Sequence, residues 1–151
     1  MPTKGKLATE LRTLLEETFE THHGMFTNRG TSLFETLEQV SAQEASLSHG
    51  KEAETVAGHV FHMSFYLTVA MGFLRKTHEG DTDWDKSWVV KGVDAEAWER
   101  LKGDLRGKYH DVMAFLDAVD DWDDGDTLGG LLGILAHNAF HLGAIRELLS
   151  A

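Results

Sequence analysis

The stretch Leu128-Gly-Gly-Leu131-Leu-Gly-Ile-Leu135-Ala-His137-Asn-Ala-Phe-His141-Leu-Gly-Ala-Ile145-Arg-Glu-Leu148 decides the fold. Its Leu128, Leu131, Leu135, Leu142, Ile145 and Leu148 recur at helical spacing, which predicts a long final helix opening at Asp126 or Thr127. His137 and His141 stand one turn apart on that helix, so their imidazoles project from the same side and can grip a single ion. A chain with nine histidines also produces such a pair by accident. The apolar neighbours Leu131, Ile134, Leu135, Leu142 and Ile145 tip the balance, because two imidazoles in such surroundings need buried partners and one ion satisfies both.

Working outward, the rest of the chain reads as helical too. Its single proline is Pro2, and no segment alternates apolar and polar residues as a strand would. Leu7, Leu11, Leu14, Leu15 and Phe19 follow helical spacing up to Gly24. Leu33, Phe34, Leu37 and Val40 form a second series after Ser32, which makes a capping box with Glu35. These two pieces are either one kinked helix or two. Ser41 and Glu44 repeat the capping pattern, and residues 46–50 read as a loop. A helix is then expected from about Glu52 to His78, with Val56, His59, Met63, Tyr66, Ala70 and Phe73 or Leu74 facing inward and Gly80 as its C-terminal cap. A Trp-bearing connection over residues 81–93 leads to Asp94, the N-cap of a helix carrying Trp98, Leu101, Leu105, Tyr109, Val112 and Leu116. An acidic turn over residues 117–126 precedes the final helix. The pattern predicts an all-α protein, an antiparallel helical bundle forming a single domain over residues 1–151.

Composition narrows the function. A formal charge of -11, from 25 acidic and 14 basic residues, repels nucleic acid and anionic membrane surfaces. With no cysteine, thiolate ligands and cysteine nucleophiles are excluded, leaving imidazole and carboxylate as donors. The polar, basic start and the shortness of the longest mostly apolar run, residues 128–136, lead us to expect a soluble, cytoplasmic protein. At 151 residues the chain is long enough to bury a core without a structural metal.

A facing helix can deliver a third imidazole to His137 and His141. His59 and His62 both lie near the inward stripe of the second long helix, and spacing does not decide between them. Three imidazoles leave a coordination position open, as catalytic sites do, and suit zinc, nickel, copper and iron alike.

The residues Thr55-Val-Ala-Gly-His59-Val-Phe-His62-Met-Ser-Phe-Tyr-Leu67 and Leu135-Ala-His137-Asn-Ala-Phe-His141-Leu-Gly-Ala-Ile-Arg146 resemble the DinB/YfiT-like family of metal-binding four-helix bundles. Asp83-Trp84, Ser87-Trp88, Val93-Asp94 and Trp98 resemble a subgroup with tryptophans between helices two and three, and the similarity covers about Leu33 to Leu149. The resemblance implies His59 as third ligand beside His137 and His141, with His62 behind it or in reserve. It also implies zinc or nickel, a homodimer and, in some branches, transfer of substrates to a low-molecular-weight thiol cofactor.

The expected function is therefore metal-dependent chemistry on a small molecule, of the thiol-dependent transferase or hydrolase type. By position, His62 or Tyr66 would carry protons, Asn138 would donate a hydrogen bond, and Arg146 would anchor an anionic substrate. The competing readings are a metal- or ligand-binding protein without chemistry, and a structural bundle whose histidines pack neutral. Other constellations fail. His137-Asn-Ala-Phe-His141 lacks the glutamate base of zinc peptidases, and Glu20-Thr-His-His23 alone does not make a di-iron site. Asp81, Asp83 and Asp85 start an EF-hand pattern that Lys86 and Gly92 break, and the acidic turn fails at Trp122. Gly129, Gly130 and Gly133 make no phosphate loop and read as close helix packing.

Overall fold

The computed structural model describes residues 4–50 and 53–150. Among these the chain is all-helical and contains no strand. The α-helices are α1 (Lys4–Phe19), α2 (Leu33–Glu38), α3 (Ala42–Ala45), α4 (Val56–Leu74), α5 (Ala95–Asp117) and α6 (Gly125–Ser150), with a short 3-10 helix, Trp84–Trp88, before α5. The first forty residues thus form two helices rather than one kinked one. α4 packs against both α5 and α6, and α1 against the same two. Buried residues from all six α-helices join in one apolar cluster that includes Leu15, Leu37, Met63, Trp98, Tyr109 and Ile134. Each such side chain contributes about 1.5–3 kcal/mol by leaving water.

Local chemistry sets most helix ends. The Asp94 carboxylate accepts from the Ala97 amide at 2.7 Å, and Ser41 accepts from Glu44 at 3.1 Å. Ser32 departs from its expected role. Its hydroxyl donates to the Glu35 side chain, so no amide of α2 is capped by it. α6 begins at Gly125, just before the expected Asp126 or Thr127, and Asp124 accepts there from the Asp126 amide at 3.1 Å and the Thr127 hydroxyl at 3.2 Å.

α4 departs from expectation at both ends. The anticipated start, Glu52, lies outside the described residues, and the helix begins at Val56 after Thr55, whose hydroxyl accepts from Gly58 at 3.0 Å. It stops at Leu74, well before Gly80. Lys76 takes the left-handed conformation (φ 58°), its amide reaching Phe73 O at 3.1 Å and that of Thr77 reaching Gly72 O at 2.8 Å. This is the Schellman pattern, closed by a lysine in place of glycine. The inward stripe is also turned from the one expected: Val60, Met63, Leu67, Met71 and Leu74 are buried, whereas Phe73 is 61% exposed. No charged residue lies in Val56–Leu74, so no polar face exists to set the helix's rotation. By length and composition both α4 and α6 could cross a membrane, but half of the α4 stretch is buried in the protein, as in core helices.

The loop of residues 20–32 is organised by Glu17, a fully buried carboxylate on α1. It accepts from the backbone amides of His23, Gly24, Met25 and Phe26 at 2.8–3.1 Å and from the Thr27 hydroxyl at 3.1 Å. Burial alone would raise its pKa. These donors outweigh burial and hold the group at about 2, below the ordinary value of 4.5. A carboxyl depressed in this way stabilises the fold fully above its unfolded pKa, and that stability is lost as pH falls toward about 2. Glu17→Gln should therefore cost on the order of 3 kcal/mol in urea unfolding near neutral pH, and should flatten the fall in stability below about pH 5. Equal steepness in variant and wild type would contradict this role.

Candidate metal centre

Two close approaches position the histidines. Gly58, one residue before His59, leaves little room for a side chain: a Cβ there would lie 3.0 Å from the Val90 carbonyl, so the segment after the 3-10 helix lies directly against the first turn of α4. Gly130 plays the same part on α6, where a Cβ would come within 2.5 Å of Leu74. Its closeness to α4 is the helix packing expected of Gly129, Gly130 and Gly133, but Gly129 departs from it, since a Cβ there would meet nothing within 4 Å.

The result is a cluster of four imidazoles. One ring nitrogen from each of His62, His137 and His141 lies within 4.8 Å of the other two, close enough to hold a metal ion together. His62 Nε2 and His137 Nε2 are 3.1 Å apart. Two nitrogens on one tetrahedral zinc would be roughly 3.3 Å apart, given bonds of about 2.0–2.1 Å. His59, which the resemblance implied as third ligand, meets the cluster at His141, Nδ1 to Nδ1 at 2.9 Å. Trp88 covers the group, stacked on His62 at 4.0 Å and edge-on to His59 at 5.3 Å.

Hydrogen bonding fixes the proton on His62. The Ser87 hydroxyl donates to Trp84 O at 2.6 Å, so at 2.8 Å from His62 Nδ1 it can only accept. His62 is therefore the Nδ1–H tautomer, and its Nε2 lone pair faces His137. His137 cannot resolve its own position within the protein. Its Nδ1 is buried without a hydrogen bond, so either tautomer leaves one buried nitrogen unsatisfied. With its proton on Nε2, His137 donates to His62, and a cation that displaces this proton would be held by both Nε2 lone pairs.

Electrostatics keep the rings neutral and available. Burial is the largest influence on all four, and it lowers each pKa. His137 falls to about 4 through burial and the neighbouring His62, and His141 to about 3 through burial and the other three rings. Glu54 opposes the shift at His59 and His62 without reversing it.

The other residues singled out in the sequence fall in different places. Tyr66 stacks face to face on His137, with ring centroids 3.5 Å apart, and burial raises its pKa, so it remains a phenol. Asn138 directs its amide to Ile134 O at 2.7 Å within α6, leaving only its buried, unpaired oxygen. Arg146 donates to the Thr36 hydroxyl at 2.9 Å, tying α6 to α2. Ser87 was not anticipated, since a serine 25 residues after His62 carries no spacing signal. Compared with known protein families, curated proteins and solved structures, the chain matches none. The functional reading therefore rests on this geometry. Ser87→Ala, which frees the His62 ring to turn and change tautomer, should weaken zinc binding about 10-fold or more with helicity unchanged. Unaltered affinity in a competition titration would remove Ser87 from the site.

Proposed function

We propose that this chain is a metal-dependent enzyme of the DinB/YfiT-like kind, a four-helix bundle acting on a small molecule through one zinc or nickel ion. The observation that carries the reading is the convergence of His62, His137 and His141 from helices far apart in sequence. The donors fit such an ion. All are neutral imidazoles, and one has its Nε2 lone pair aimed at His137 by its hydrogen bond with Ser87. We assign His62, His137 and His141 as ligands, with His59 against His141 as the nearest further donor.

When bound, the ion supplies Lewis acidity at its open coordination position. The protein's own contribution is exclusion of water and management of protons. Trp88 shields His62 and His59 on one side. Tyr66 remains protonated and can hand its phenolic proton to a developing anion, or hold a substrate oxygen in place. Thiol-dependent transfer, in which a low-molecular-weight thiol would supply what a cysteine-free chain lacks, is the reaction type we favour over hydrolysis.

Metal analysis of tag-free protein should find about one divalent ion per chain. His62→Ala and His137→Ala should abolish it while retaining helicity, because the core is large enough without the ion, whereas His59→Ala should retain most of it. Full occupancy in the His62 variant together with loss in the His59 variant would overturn the ligand assignment. Metal-free wild type would overturn the reading itself. Catalysis is checked by presenting zinc- and nickel-loaded protein with alkyl halide and epoxide electrophiles, with and without thiols; turnover that His137→Ala matches is not this site's.

We further propose a homodimer. α6 leaves Leu132, Ala136, Phe140 and Gly143 exposed along one stripe, with Phe140 at 71%, and no charge interrupts it. Such a stripe lets two copies of a strongly acidic chain meet without opposing like charges. Phe140→Glu should give a monomer in light scattering; a monomeric wild type would contradict it.

A further inference from the structure

Beside the histidines lies a cavity of about 480 Å³, bounded by α4, the first turns of α6 and Trp84. That volume suits a small organic ligand. Three of its walls are aromatic, from Tyr66, Phe73 and Trp84, and among the described residues the only charged one lining it is Asp126. Gly129 lines the cavity, and a Cβ added there would meet nothing within 4 Å, so this wall accepts a side chain without a clash. Two shared walls connect the cavity to the metal centre: Tyr66 stacks on His137, and the Trp84 ring lies 6.4 Å from that of His62.

Aromatic faces carry negative potential and attract cations, and a carboxylate at the same cavity adds a full negative charge. The start of α6 opposes this, because a helix N-terminus carries roughly half a positive charge. The carboxylate of Asp126 at the cavity wall, a full negative charge, exceeds it. Asp124 and its ion-pair partner Lys76, 4.0 Å apart, do not line the cavity. The chain's net charge of -11 also raises the local concentration of cations.

We propose that this cavity binds an organic cation, an amine or quaternary ammonium with an apolar body, and so selects the substrate of the metal centre. The selecting role rests on the metal-centre reading above; binding in the cavity does not. The bound apolar body lies against Phe73 and Trp84, and the ligand sits one ring, that of Tyr66, away from His137.

Titration calorimetry of the full chain with benzyltrimethylammonium tests this, with benzyl alcohol and benzenesulfonate as neutral and anionic comparisons, in metal-free and zinc-loaded protein. The cation should bind at least about tenfold more tightly than the alcohol, and the sulfonate should show no saturable binding. Gly129→Leu, which places a bulky side chain at the cavity wall and improves helix propensity, should weaken cation binding about tenfold or more, and Asp126→Asn should weaken it several-fold. Both should keep wild-type helicity and zinc content. Absence of cation binding, equal binding of the alcohol, or full affinity in both variants overturns the assignment. Cation binding in a protein that takes up no zinc leaves the cavity intact and sinks the metal reading, so the two failures are distinguishable.

Discussion

Four neutral imidazoles meet in one shielded place, and three of them are close enough to share an ion. His62 has its one proton committed to Ser87, so its Nε2 keeps a lone pair, which accepts from His137 Nε2 at 3.1 Å when that nitrogen carries its proton. His59 and His141 meet Nδ1 to Nδ1 at 2.9 Å, where one ring donates and the other accepts. The cluster takes up no further proton near neutral pH, since burial and mutual repulsion push His141 to about 3 and His137 to about 4. A metal ion can replace the shared protons, because it accepts several lone pairs at once and requires the rings to be neutral. The helices that carry the rings approach closely at Gly130, where a Cβ would meet the Leu74 side chain of α4 at 2.5 Å, and the segment after the 3-10 helix approaches α4 at Gly58.

The sequence made the long terminal helix and the His137–His141 pair readable, because apolar spacing and a four-residue interval are local signals. Asp94 and Ser41 were readable as caps for the same reason. The rotation of α4 was not. With no charged residue between Val56 and Leu74, several stripes bury equal amounts of apolar surface, and the choice falls to what packs against the helix. His62 is buried by Ser87 and Trp88, residues of a 3-10 helix whose path over α4 no periodicity encodes. That is why the two candidates for the third ligand could not be separated from spacing. Glu17 eluded the sequence for a related reason: a glutamate within an amphipathic helix reads as solvent-facing until the loop that surrounds it is known.

The site divides its tasks between two kinds of surface. On one side, neutral nitrogens converge beneath Trp88, a setting for holding an ion and excluding water. On the other, Tyr66 and Trp84 line a cavity that also carries the carboxylate of Asp126. Tyr66 belongs to both, stacked on His137 and lining the cavity, which makes it the natural link between recognition and chemistry. Its burial keeps the phenol protonated, so it can act as donor whatever the ion does.

Zinc-edge X-ray absorption on the full chain loaded with one equivalent of zinc addresses the shared-ion account most directly, because it counts imidazoles on the metal without reference to activity. The account predicts at least three histidine nitrogens at about 2.0–2.1 Å, with the multiple scattering that imidazole rings produce. A shell of oxygen atoms with one imidazole or none would contradict it.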